Sequence, residues 1–185
     1  MNATRSRTLS LASLLATLWC GAALAAEPGA RPTQVFRDTH KELQVHLGHV
    51  KEWVGSLDTK PQAEREAIMK RVTAFLREHI GEHAKVEEAR LYPLVDRYAH
   101  DGALRYTDTM RWEHGIIGKK IEALEDMANG KADATGFARS ADRLLGIIEA
   151  HFEKEEEVLL PVLDARATAK EVEDALGGHG GHHAH

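Results

Sequence analysis

Histidine and glutamate recur at one spacing in two parts of the chain: His83 with Glu87, and His151 with Glu155. Each pair opens the same pattern, H-x-x-x-E-E-x-x-L-x-P-x-x-D, which reads HAKVEEARLYPLVD over 83–96 and HFEKEEEVLLPVLD over 151–164. The offset between the copies is 68 residues, and the same offset carries His46 onto His114. Two units are therefore superposed, each a lone His followed 37 residues later by the pattern. Self-similarity at a fixed period marks a repeated supersecondary unit. On an α-helix, residues i and i+4 lie about 40° apart and one turn displaced, so each His points the same way as its Glu. An imidazole and a carboxylate from each of two helices, with one further imidazole from each of two others, make a set of four His and two Glu. That set suits a pair of borderline metal ions, since imidazole binds iron, zinc, copper or nickel and a carboxylate can bridge. The competing reading is two amphipathic helices whose His and Glu are solvated. Repetition in register, with a matching lone His in each unit, favours the metal site.

These residues resemble the hemerythrin-like HHE cation-binding domain family over roughly His40 to Asp164: a His in the first helix, H-x-x-x-E-E-x-x-L-x-P in the second and fourth, and Glu113-His114 in the third. The resemblance implies an all-α, up-down antiparallel four-helix bundle around an oxygen-bridged di-iron centre, with other divalent metals also possible. It implies as metal ligands His46, His83, Glu87, His114, His151 and Glu155. One departure stands out. The oxygen-carrying members have a second His one turn after the third-helix His, where this chain has Gly118. The remaining set looks closer to the branch linked to nitric-oxide stress and repair of iron centres, although that branch adds an N-terminal cysteine-bearing domain. The function this implies is binding of a small ligand such as dioxygen or nitric oxide, without enzymatic turnover. The alternatives are a di-iron oxidoreductase, which would need an electron donor that the sequence does not identify, and iron binding or buffering.

The elements that must position these groups follow from periodicity and punctuation. Residues 1–25 read as a signal peptide: Arg5 and Arg7, an apolar run from Leu9 to Leu24, and the small-x-small site Ala23-Leu24-Ala25. The run is too short for a stable membrane span, so the mature chain is expected to be periplasmic or secreted. Cys20 is the only cysteine, and Trp19 before it argues against lipidation. Cleavage thus leaves a chain without disulfides or thiolate ligands. It also removes two arginines and no acid, taking the net charge from −5 to −7; an acidic chain is a poor partner for nucleic acid.

Residues 26–33 read as a linker and 34–166 as the bundle. Helix 1 is expected from Thr33 to Ser56, with Val35, Leu43, Val50, Trp53 and Leu57 beside His46 on one stripe. Helix 2 is expected from Pro61 to Arg97, with His83 and Glu87 inside its apolar stripe. Pro93 and Pro161 should kink or end their helices at Ala89 and Glu157 by removing a main-chain donor. Helix 3 is expected from Gly102 to Met127 and helix 4 from Asp133 to Ala165. Thr168 and Glu171 form a capping box opening a short last helix within 167–176. Residues 177–185, GGHGGHHAH, read as a disordered tail that binds metal weakly. Among the other histidines, His49 and His79 are candidates for an extra ligand or for a hydrogen bond to one, though neither recurs at the 68-residue offset, while His40 and His100 read as surface residues. Glu88 and Glu156 should be solvated or bonded to ligand imidazoles.

Overall fold

A computed structural model describes residues 31–99, 105, 107–130 and 133–176; the expected signal peptide, the expected His-rich tail and His100 lie outside these. Four helical rods form the body. They are α1 (Gln34–Ser56), a second rod made of α2 (Gln62–Phe75), α3 (Glu82–Val86) and α4 (Tyr92–Ala99), then α5 (Asp108–Asn129), and a fourth rod made of α6 (Ala134–Lys154) and α7 (Leu160–Arg166). α8 (Ala169–Ala175) follows, opened by the expected capping box between Thr168 and Glu171. Short connections make consecutive rods antiparallel. α1 packs on α2 and α6, and α5 packs on the same two from the other side, so the cross-section is a closed square. No strand occurs among the described residues, and none of the helices is long and apolar enough to cross a membrane. Helix 3 starts at Asp108, later than the expected Gly102, because Arg105 and Thr107 are not helical.

Each rod buries one stripe at helical spacing. In α1 it is Phe36, His40, Leu43, Leu47, Val50 and Val54; in α5 it is Met110, His114, Ile117, Ile121, Leu124 and Ala128. Burying such a stripe is the main drive for helices that are individually marginal. Two apolar clusters result. The larger gathers Leu43, Leu47, Val72, Leu76, Ile121, Leu144, Ile148 and their neighbours, and the smaller gathers Phe36, Leu91, Tyr92, Met110, Leu160, Leu163 and Val172. The polar groups of interest lie between them.

Neither proline ends its helix. The chain runs through Pro93 and Pro161 by means of π turns at Glu87–Leu91 and Glu155–Leu159, whose widened bonds run from Tyr92 N–H to the Glu87 carbonyl and from Leu160 N–H to the Glu155 carbonyl. A π turn inserted in an α-helix is rare and tends to fall at functional sites. Here the freed main-chain acceptors are taken across the bundle. Arg111 Nη1 donates to the Glu88 carbonyl at 3.1 Å, and Arg37 Nη1 donates to that of Glu156 at 3.3 Å. The same guanidinium groups reach Asp96 and Asp164, the last residues of the two sequence patterns. Those aspartates also accept from the main chain and hydroxyl of Thr107 and Thr33. Thr33 and Thr107 have no side-chain caps of their own, so each aspartate satisfies a neighbouring helix's start.

Candidate metal centre

The π turns begin at the two glutamates that the spacing singles out. Glu87 and Glu155 are fully buried (0% exposed), facing each other amid His40, His83, His114 and His151, all of which are buried too. Two overlapping donor groups form: His40, His83, Glu87 and Glu155, and Glu87, His114, His151 and Glu155, with the donor atoms of each within 4.8 Å of one another. Both carboxylates belong to both groups. Glu87 Oε1 lies 3.2 Å from His40 Nε2 and 2.7 Å from His83 Nε2, while its Oε2 lies 3.3 Å from His114 Nε2. Glu155 Oε2 lies 3.4 Å from His40 Nε2, and its Oε1 lies 3.7 Å from His151 Nε2. Each carboxylate thus turns one oxygen to each group, the arrangement a bridging ligand needs.

Several of these atoms are near one another without bonding. His83 Nε2, Glu87 Oε2 and Glu155 Oε2 are buried with no hydrogen-bond partner, although His83 Nε2 is only 2.7 Å from a carboxylate oxygen. Unpaired buried polar atoms are costly. Atoms that crowd together yet miss hydrogen-bond geometry are placed as donors around an ion would be. Four imidazoles and two carboxylates with no thiolate suit iron, zinc, copper, nickel or manganese, so the donor set fits a pair of such ions.

The outer edges of the imidazoles are held in turn. His40 Nδ1 pairs with Glu156 Oε1 at 2.8 Å, His114 Nδ1 with Glu88 Oε1 at 2.9 Å, and His151 Nδ1 with Glu113 Oε2 at 3.0 Å. Such contacts fix the tautomer that leaves Nε2 free to ligate. Glu88 and Glu156 thus take the hydrogen-bonding role, Glu88 while still 42% exposed. His83 Nδ1 has no partner among the described residues.

Charge is distributed unevenly over the metal-free site. Burial first, then the nearby Glu87 charge, pushes the Glu155 carboxyl well up. Burial would raise Glu87 as well, but the imidazoles of His83, His114 and His40 outweigh it and hold its carboxyl well below the usual range. His40 and His114 are raised, because their carboxylate partners overcome the lowering due to burial. Burial, then the neighbouring His114, lowers His151 to about 4. The two carboxylates are therefore driven apart in their hold on a proton, as closely spaced acids are.

Five of the six residues expected as ligands come together here; His46 does not. Its place is taken by His40, which had read as a surface residue. The reason is helical phase. The buried stripe of α1 centres on Phe36, Leu47 and Val54, about 60° round from the stripe assumed in the sequence reading, and at about 100° per residue His46 falls about 80° off it. It also lies six residues from His40, about 9 Å along the axis. His46 instead sits near Phe75 and His49. His49 is exposed, His79 packs on Phe75, and neither belongs to either donor group.

Glu113 and Tyr92 were not recognised as site residues from sequence. Tyr92 Oη donates to Glu155 Oε1 at 2.6 Å and lies 3.2 Å from His114 Nε2 and 3.5 Å from His151 Nε2. Beside the donors is a small cavity of about 10 Å³, bounded by Ile80, Ala84, Ile117, Ile148 and Phe152 along with His83, Glu87, His114 and His151. That is room for about one water-sized molecule.

The family model for the hemerythrin HHE cation-binding domain matches residues 31–163. An uncharacterized hemerythrin-like protein of Schizosaccharomyces pombe is 21% identical over 137 residues, which cover 74% of this chain and 61% of that protein. The chain thus spans about three fifths of that relative's length. No solved structure matches the chain significantly.

Proposed function

The chain belongs to the hemerythrin HHE cation-binding domain family, and on that premise we propose that it is a non-haem di-iron protein that binds a small diatomic ligand, dioxygen or nitric oxide, reversibly. The observation that carries this reading is the sharing of Glu87 and Glu155 between two donor groups. Two six-coordinate ions would offer about twelve positions, of which the four imidazoles and the two shared carboxylates would supply about eight. The positions left are the ones a ligand needs. Bound iron would supply Lewis-acidic, redox-active positions there.

The chain's own residues do the rest. His40, His83, His114 and His151 would present Nε2 to the ions, while Glu156, Glu88 and Glu113 steady three of the rings from behind. Ile80, Ile117, Ile148 and Phe152 wall the adjoining space with hydrocarbon. Such walls favour a small uncharged guest and exclude bulk water. The donor atoms sit under complete or nearly complete burial, which suits binding of a gas and leaves no room for a larger substrate. Residues 1–25 support export to the periplasm or cell exterior; intact-mass measurement of protein from its native host should find a chain beginning at Ala26.

The deciding experiment is anaerobic loading with ferrous iron, elemental analysis, and exposure to limiting dioxygen or nitric oxide with the absorption spectrum followed. Two irons per chain and an adduct that reverses on removing the gas are expected. One metal or none, or oxidation without a reversible adduct, would overturn the reading.

A further inference from the structure

The two halves of the site are not equivalent, and Tyr92 is where they differ. The 68-residue offset places Leu160 at the position of Tyr92 in the second copy of the pattern. Both residues are fully buried directly before the proline, and the main-chain N–H of each closes a π turn. In the first copy the side chain reaches the donor cluster; in the second it is hydrocarbon. Two donors at right angles around an ion with bonds of about 2.1 Å lie about 3 Å apart. The Tyr92 oxygen lies 2.6 Å from Glu155 Oε1, 3.2 Å from His114 Nε2 and 3.5 Å from His151 Nε2. This is the spacing of a further donor to the ion those three residues would hold. At the other end, beside His40, His83 and the same two glutamates, the matching position is Leu160, which offers no donor atom.

We infer that Tyr92 is a metal ligand, its phenolate oxygen bound to the ion held by His114 and His151 and to that ion alone. The inference rests on the two-ion reading above. On coordination the phenol O–H bond breaks, the oxygen's electron pair goes to the ion and the proton leaves to solvent. Metal charge favours such a loss. A consequence is that open positions gather at the His40–His83 end, so a guest is expected to bind one ion and not the other. The competing role for Tyr92 is that of a hydrogen-bond donor to Glu155, which would leave the phenol protonated in the loaded protein.

Ferric protein loaded with two irons tests this directly. A phenolate-to-iron charge-transfer band in the visible, with tyrosine ring modes enhanced by Raman excitation into it, is expected from the wild-type chain. Tyr92→Phe should lose both signals completely while keeping two irons per chain and its helical circular dichroism. A wild-type chain with two irons and neither signal would overturn the inference and leave the di-iron reading standing. The same holds if the signals persist in Tyr92→Phe. Should Tyr92→Phe fail to fold, the wild-type Raman spectrum still decides whether a phenolate is bound, and Tyr92→Leu, which copies the Leu160 half, decides which tyrosine supplies it. A wild-type chain that takes up no metal would overturn both readings.

Discussion

His40 and Glu156 hold each other between α1 and the π turn of the fourth rod: the imidazole Nδ1 meets the carboxylate Oε1 at 2.8 Å, which turns Nε2 inward to 3.2 Å from Glu87 Oε1. His46, six residues further along α1, has no such partner among the described residues. His40→Ala should therefore cost one or both metal ions, whereas His46→Ala should retain two. Elemental analysis of the two variants checks this, and loss of metal in His46→Ala alone would restore the set expected from sequence.

The glutamates divide by role. Glu87→Gln and Glu155→Gln each remove a shared, fully buried carboxylate and should abolish binding of the pair. Glu88→Gln removes an outer hydrogen-bond partner of His114, and Glu156→Gln removes that of His40 together with a charge paired to Arg37; both should weaken binding about 10–100-fold with the stoichiometry kept. Competition against a chelator of known affinity measures the difference; equal losses in all four would put the site on another face.

Metal-free protein should lose stability as the solution becomes alkaline. Glu155, His40 and His114 have raised pKa values, so the folded chain holds their protons more tightly than the unfolded chain does. That stabilisation is complete below the ordinary values, 4.5 for Glu155 and 6.5 for the imidazoles, and is lost as pH rises through the raised ones. His151, lowered to about 4, acts oppositely, but its contribution is complete above 6.5. Above pH 6.5 these three raised groups therefore set the trend. Bound metal takes the place of their protons, so the gap between loaded and metal-free melting temperatures should widen with pH. Thermal melts by circular dichroism at several pH values test this, and identical melting temperatures throughout would mean that no metal binds in the fold.

Arg37→Met should lower stability by about 2 kcal/mol, since it strips a charged donor from both Asp164 and the Glu156 carbonyl in a half-buried setting. Lys51→Met, which breaks the surface ion pair with Glu149, should change it by less than about 0.5 kcal/mol. Urea midpoints for the two variants separate these outcomes.

What the sequence made legible was the part that repeats exactly in length. From His83 and His151 onward every matched residue is 68 apart, so both H-x-x-x-E pairs, the antiparallel bundle and the last helix could be read from spacing and capping signals. Upstream the register slips. Thr33, Phe36, Arg37 and His40 correspond to Thr107, Met110, Arg111 and His114 at an offset of 74. The first hairpin carries six more residues between its two histidines, 43 against 37. His46 matches His114 at the fixed period, whereas T-x-x-x-R-x-x-H at the longer offset marks the pair that the fold brings to the donor cluster. The π turns were hidden for another reason: Pro93 and Pro161 forbid an ordinary hydrogen bond, but only the facing arginines show how the helix continues. Tyr92 was visible as the one Tyr-for-Leu mismatch beside the proline, yet a mismatch gains meaning only once the donors around it are known.

The aspartate clamps also bear on where this bundle begins. Asp96 grips Thr107 eleven residues downstream, within one continuous stretch of chain, whereas Asp164 grips Thr33 from 131 residues away. The two clamps are alike although only the first spans a covalent connection. Topologically the four rods behave as a ring, and the break between Asp164 and Thr33 is one of two interchangeable places to cut it. A circular permutant that joins Leu176 to Arg31 through a flexible linker and opens between Ala99 and Arg105 should fold and load two metals, because each half would keep its own clamp and donors.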